Sequence, residues 1–138
     1  MAPIIEKLLV ANRAEIASRV IRTAKRLGIP TVAVYSEADA ELPFVSEADE
    51  ARLIGPPPPA ESYLDVDRIL AVAAEVGATA IHPGYGFLSE SSTFAARVAE
   101  AGLIWVGPSP DAMERIADKI NARNLMASAG VPPAAGSV

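Results

Sequence analysis

The chain has 138 residues, 51% of them hydrophobic but only 5% aromatic, with no cysteine and a formal net charge of −5. One domain of this length buries roughly two thirds of its unfolded surface, and the missing cysteines exclude a disulfide framework or a thiolate metal site. The negative balance argues against a nucleic-acid binder held by phosphate neutralisation. No apolar run reaches the roughly 18 residues of a bilayer span, and Met1-Ala2-Pro3 does not open a signal peptide, so a cytoplasmic protein with no membrane partner is expected. Charge is uneven: six carboxylates from Glu37 to Glu50, and five basic residues from Arg13 to Arg26, both read as solvated surface.

Leu8-Leu9-Val10-Ala11 reads as a first strand, followed by the turn Ala11-Asn12-Arg13-Ala14 and a helix. Its stripe of Ile16, Val20, Ala24 and Leu27 ends at Gly28-Ile29-Pro30. A second strand follows over Thr31–Tyr35. Residues 37–60 read as a surface crossing that holds a third strand, Ala51–Ile54, and reaches a stiff run, Pro56–Pro59, without backbone donors. Asp65 is placed to cap a helix through Ile69, Val72, Ala73 and Val76, with Gly77 beyond its end. Ala78–Ile81 reads as a fourth strand, Phe94, Val98 and Ala101 as a helical stripe closed by Gly102, and Leu103–Val106 as a fifth strand. Ser109-Pro110 opens another helix, and Asp118 caps one that ends at Gly130. The last residues, Val131–Val138, read as a cut at a domain boundary. Strands alternating with helices imply right-handed crossovers and a Rossmann-like, mostly parallel α/β sheet with helices on both faces.

The first strand-to-helix turn lacks the Gly-x-Gly-x-x-Gly that lets backbone approach a pyrophosphate, which counts against an oxidoreductase with a nicotinamide site. Asn12 and Arg13 stand at the carboxyl end of the first strand, where they either contact a ligand or neighbouring domain, or tie the turn and pair locally. Gly84 and Gly86 flank Tyr85, permitting positive φ or a close approach; the alternative is a tight turn whose Tyr85, Phe87 and Leu88 fill the core. Ser89, Glu90 and the amides after them open a helix whose positive end can face an anion. His82, the single histidine, has no second His or Cys beside it and reads as structural, so no metal site is expected. Lys119 begins a helix, where it either meets a phosphate or is solvated. Arg19, Arg22 and Arg26 share a helical face opposite Ile16 and Val20, one that is exposed or meets an acidic partner. No nucleophile and base pair up, so no catalytic residue is assigned.

Ordered segments along nearly the whole chain resemble the amino-terminal domain of biotin carboxylase. They are Ala11-Asn12-Arg13 with Glu15-Ile16-Ala17 and Arg19, Gly28-Ile29, Thr31–Val34, Ala48-Asp49-Glu50, Ser62-Tyr63-Leu64, His82–Glu90 with Phe94-Ala95, Gly107-Pro108, Asp118-Lys119 and Ala129–Pro132. The resemblance implies a Rossmann-like domain over residues 1–115, then a helical linker over 116–138 toward an ATP-grasp domain that lies beyond this chain. It implies an enzyme of biotin-dependent acyl-CoA carboxylases that uses ATP, Mg2+ and bicarbonate to carboxylate biotin on a carrier protein, with a carboxyltransferase as further partner; this chain alone is expected to be inactive. Lys119 matches a lysine that contacts ATP, and the Gly84-Tyr85-Gly86 turn matches one lining the cleft near the active site. Asn12, Arg13, His82 and Glu90 join that turn as cleft candidates. The helix bearing Arg22 and Arg26 matches one in the family's homodimer interface, where Arg26 stands in place of an acid found in some relatives. Ala14 and Ala117 stand where the family usually has Gly, and at positive φ an alanine costs stability. A non-catalytic docking or oligomerisation domain of the same fold, using the Arg19/Arg22/Arg26 face, is the competing reading.

Overall fold

The computed structural model describes residues 4–117 and 119–130. Five parallel strands lie in the order β3-β2-β1-β4-β5: β1 (Leu8–Val10), β2 (Thr31–Ser36), β3 (Glu50–Gly55), β4 (Ala80–His82) and β5 (Ile104–Trp105). The expected strands all form. The central strand β1 pairs Leu8 with Thr31 on one side and with Ala80 on the other. The connections run outward from β1 in opposite directions, so the sheet switches direction between β1 and β4. That opens a crevice at the carboxyl ends of those two strands, the place where such sheets bind ligands.

Alternation along the strands sends large and small side chains to different faces. Leu9, Val32, Val34 and Ile81 pack with Ile69, Val72, Phe94 and Val98, on α3 (Val66–Val76) and α4 (Ser92–Glu100). Val10, Ala33 and Ala80 meet Ala17, Ile21, Ala24 and Phe44 on the other face, under α1 (Ala14–Arg26) and α2 (Pro43–Glu47). Two further helices follow the sheet, α5 (Pro110–Ala117) and α6 (Lys119–Ser128). Among the described residues, no helix is long and apolar enough to cross a membrane.

The caps form as their residue types require. Asp65 accepts the Arg68 N–H at 3.1 Å, and Gly77 closes α3 in the left-handed region. Ser109 accepts the Ala112 N–H at 3.2 Å ahead of Pro110. Helix α4 starts later than expected: Phe87–Glu90 is a 3-10 turn, and Ser91, accepting the Phe94 N–H, is the cap. Ala101, expected in the α4 stripe, is exposed, whereas Phe94, Ala95 and Val98 are buried.

Helix α1 is rotated from its expected phase. Its buried line is Ala17, Ile21 and Ala24, while Leu27 is 71% exposed. The two alanines let the helix axis approach the Ala33 and Ala80 positions, which pushes the bulkier Ile16 and Val20 to the flank. Ile16, Val20 and Leu27 instead line an open groove of about 420 Å³ with Ile5, Ile29 and Val106. Arg19 lines that groove too, so it stands beside Ile16 and Val20 rather than opposite them, and it hydrogen-bonds Thr23. Arg22 and Arg26 are exposed as expected.

The acidic stretch is not simply solvated surface. Asp39 is 5% exposed, Asp49 accepts the Thr31 N–H at 2.9 Å, and Glu47 accepts the Ser18 hydroxyl at 2.7 Å. Glu50 pairs with Lys7 at 2.7 Å. After β3 the backbone folds back closely: a Cβ on Gly55 would lie 2.1 Å from the Glu61 carbonyl oxygen. This return brings Tyr63 under the carboxyl edge of the sheet.

Candidate functional site

The crevice is built on two consecutive residues that leave β1. Asn12 is 2% exposed. Its amide nitrogen donates to the Pro83 carbonyl at 2.8 Å and to the Tyr85 carbonyl at 2.7 Å, and its oxygen accepts the Arg13 N–H at 2.8 Å. Gly84, between the two carbonyls, has φ +68, and a Cβ there would stand 2.7 Å from the Asn12 amide nitrogen. The Gly84 N–H in turn donates to His82 Nδ1 at 3.0 Å. That nitrogen is therefore unprotonated, and burial holds the imidazole below its ordinary pKa.

Arg13 points the other way. Its Nε and Nη2 reach the two oxygens of Asp39 at 2.6 and 2.7 Å, a planar fork on a carboxylate. The Tyr63 hydroxyl donates to Asp39 Oδ2 at 2.6 Å and accepts the Ser36 N–H at 3.1 Å. The bonds from Arg13 hold the Asp39 carboxyl below its ordinary range against the opposing effect of burial. Burial first, and then the bond to Asp39, pushes the Tyr63 hydroxyl up to about 12. The Tyr63 ring stacks on Phe87 at 5.3 Å between centroids and 12° between planes.

These two systems frame a cleft of about 320 Å³ lined by Asn12, Arg13, Ala14, Tyr85, Gly86 and Phe87 among others. Two of these residues are non-glycine with positive φ, Ala14 at 56° and Phe87 at 44°. Strained backbone of this sort persists where surrounding contacts over-determine it. Tyr85 does not fill the core as a tight-turn reading requires: it is 67% exposed, while Leu88 is buried.

Of the cleft candidates, Asn12, Arg13, Tyr85 and Gly86 line this cleft; Gly84 packs behind it against Asn12, and His82 lines instead the separate groove of Ile16, Val20 and Leu27. Glu90 is exposed at the end of its 3-10 turn and lies away from the lining. The polar groups of Asn12 are all engaged within the protein, but with the distant 83–85 loop as well as its own turn, and Arg13 pairs with Asp39, 26 positions on, rather than locally. Asp118 lies outside the described residues; Lys119 begins α6, but its side chain is not among those described. Among the described residues no group of three His, Asp or Glu is arranged to hold a metal ion. Sequence reasoning missed Asp39 and the buried role of Tyr63. Two signals pointed to them: Asp39 follows a strand by three residues, and Tyr63 is one of only seven aromatic residues, being three Tyr, three Phe and one Trp.

Comparison with known proteins places the chain in a family. The family model described as "Biotin carboxylase, N-terminal domain" matches residues 4–113. Biotin carboxylase from Halalkalibacterium halodurans is 58% identical over 132 residues, 96% of this chain and 29% of that protein. The biotin-dependent acyl-coenzyme A carboxylase alpha3 subunit of Mycobacterium leprae is 55% identical, over 96% of this chain and 22% of its own length. Among solved structures, the biotin carboxylase domain dimer of Hydrogenobacter thermophilus 2-oxoglutarate carboxylase, in complex with MgADP, ADP and bicarbonate, superposes with a TM-score of 0.91 at 48% identity. It covers 99% of this chain and 30% of that one. The chain thus spans under a third of these relatives. With the family model matched over residues 4–113 and relatives of this identity aligned over almost its whole length, the chain belongs to the biotin carboxylase amino-terminal domain family.

Proposed function

We propose that this chain is the amino-terminal part of a biotin carboxylase serving a biotin-dependent acyl-CoA carboxylase, which uses ATP, Mg2+ and bicarbonate to carboxylate biotin on a carrier protein. The observation that carries the reading is the family match over residues 4–113, which includes both chain segments that build the crevice between β1 and β4. In this reading residues 1–115 form the Rossmann-like domain, and residues 116–138 lead toward an ATP-grasp domain that supplies the remaining nucleotide and magnesium ligands and the catalytic groups. The chain by itself is then inactive. The carrier protein and a carboxyltransferase are its partners, a homodimer forms through the α1 side that bears Arg22 and Arg26, and the setting is the cytoplasm.

Within this chain Lys119 is the nucleotide-binding residue, its ammonium meeting a phosphate oxygen near the start of α6. The Gly84-Tyr85-Gly86 loop lines the cleft without taking part in bond making. In the gene product carried past Val138, Lys119→Ala removes a charge-assisted contact worth roughly 1.5–3 kcal/mol, so the dissociation constant for ATP rises about tenfold to a hundredfold. An ATP constant unchanged by that substitution, measured by calorimetry, contradicts the assignment.

A further inference from the structure

The Gly84–Gly86 loop is set by a residue more than seventy positions earlier in the chain. Asn12 meets it with two N–H donors, one on the Pro83 carbonyl and one on the Tyr85 carbonyl, while its oxygen holds the Arg13 N–H. This buried position calls for a short, uncharged side chain with two donors and one acceptor. Asp offers no donor when ionised, Ser offers one, and Gln is a methylene longer. Gly84 fits the same requirement from the other side. A Cβ there would lie 2.7 Å from the Asn12 amide nitrogen and 3.0 Å from Ile16 Cγ1, so the amide occupies the space a side chain would need. With the Tyr85 carbonyl drawn inward to Asn12, Tyr85 itself stays 67% exposed at the cleft. The loop has other fastenings, the Gly84 N–H on His82 Nδ1 and the Phe87 ring on Tyr63. Losing the Asn12 bonds therefore displaces the loop rather than unfolding the sheet.

We infer that Asn12 is a positioning residue for the reaction: through its paired donors, and through Gly84, it sets the geometry with which the Tyr85 loop lines the cleft. The inference deepens the function proposed above and rests on it. Asn12→Asp preserves size but replaces the amide nitrogen and its two N–H donors by one carboxylate oxygen that faces both carbonyls. In the gene product carried past Val138, it lowers kcat/KM for free biotin at least tenfold in bicarbonate-dependent ADP release, and the KM for ATP stays within twofold. Amide hydrogens of residues 83–87 exchange at least tenfold faster, while those of β1 and β4 keep their protection. Gly84→Ala, which presses on the same amide from the opposite side, reproduces this pattern. If Asn12→Asp does not fold, Asn12→Ala and Gly84→Ala carry the test.

Unchanged biotin kinetics in a folded variant with faster loop exchange overturn the inference, as does an equal loss in the KM for ATP, which marks a general structural defect. If the unsubstituted gene product releases no ADP, the proposed function fails and the positional claim is decided by exchange alone. Faster exchange at residues 83–87 in both variants then upholds the tie, and unchanged exchange overturns it.

Discussion

Asn12 and Arg13 leave the same strand side by side and fasten different loops by different physics. Asn12 is neutral and buried, and it holds the 83–85 backbone through two hydrogen bonds while its oxygen accepts the Arg13 N–H. Arg13 is charged, its side chain is 40% exposed, and it holds the carboxylate of Asp39, which carries Tyr63 with it. The neutral tie is short-ranged and depends on shape, since it works only against a glycine. The ionic tie depends on the charge of one carboxylate and collects Arg13 and Tyr63 around it. The difference teaches how one strand end organises the whole carboxyl edge of the sheet: a polar amide where backbone must be gripped closely, and an ion pair where a longer reach across β2 is needed.

The largest effect follows from removing the shared carboxylate. Asp39→Ala leaves the Arg13 guanidinium and the Tyr63 hydroxyl without their partner, and costs about 3 kcal/mol in urea unfolding, the lower end for a broken buried pair because Arg13 is partly solvated. Asn12→Ala strands two carbonyls and opens a small void, for about 2 kcal/mol. A cost for Asn12→Ala well above that for Asp39→Ala would reverse the ranking of the two ties.

A smaller effect comes from the next residue along. Ala14 sits at φ 56°, where a Cβ costs roughly 1–2 kcal/mol, so Ala14→Gly relieves strain but loosens the unfolded chain by roughly 0.5–1 kcal/mol. A net gain of roughly 0–1.5 kcal/mol in urea unfolding is expected, and a loss would show that the turn carries no strain.

Acid acts on His82 and then on Asp39. The His82 pKa is lowered from 6.5 in the folded chain, so below about that pH the unfolded imidazole takes up a proton that the folded one refuses. Stability then falls with falling pH until the folded pKa is passed. The Asp39 pKa is lowered from 3.8; its contribution is present above that value and is lost as pH falls through the folded pKa. His82→Asn, which keeps an acceptor near the Gly84 N–H, flattens the decline in melting temperature between pH 7 and 5 but leaves the loss at lower pH.

Much of this fold was legible because its signals are local. Asp65 and Gly77 bound α3 by cap chemistry, and Ser109-Pro110 opens α5 the same way. The strands announced themselves as short β-branched runs. The phase of α1 was not legible, since Ile16, Val20 and Leu27 outweigh Ala17, Ile21 and Ala24 in hydrophobicity; only packing against the alanines of the sheet selects the smaller set. The crevice was readable from Asn12, Arg13 and the Gly84-Tyr85-Gly86 turn, together with the possibility that Ala14 bears positive φ. The burial of Asp39 was not, because an acid in an acidic run looks solvated until the fold brings Arg13 and Tyr63 to it from 26 positions before and 24 after.

The proposed biotin carboxylase function is tested most directly by bicarbonate-dependent ADP release with and without free biotin. The assay is run on the gene product carried past Val138, with the 138-residue chain beside it. Biotin-stimulated release by the longer protein alone is the predicted result. A folded longer protein that releases no ADP in the presence of bicarbonate and biotin would contradict it.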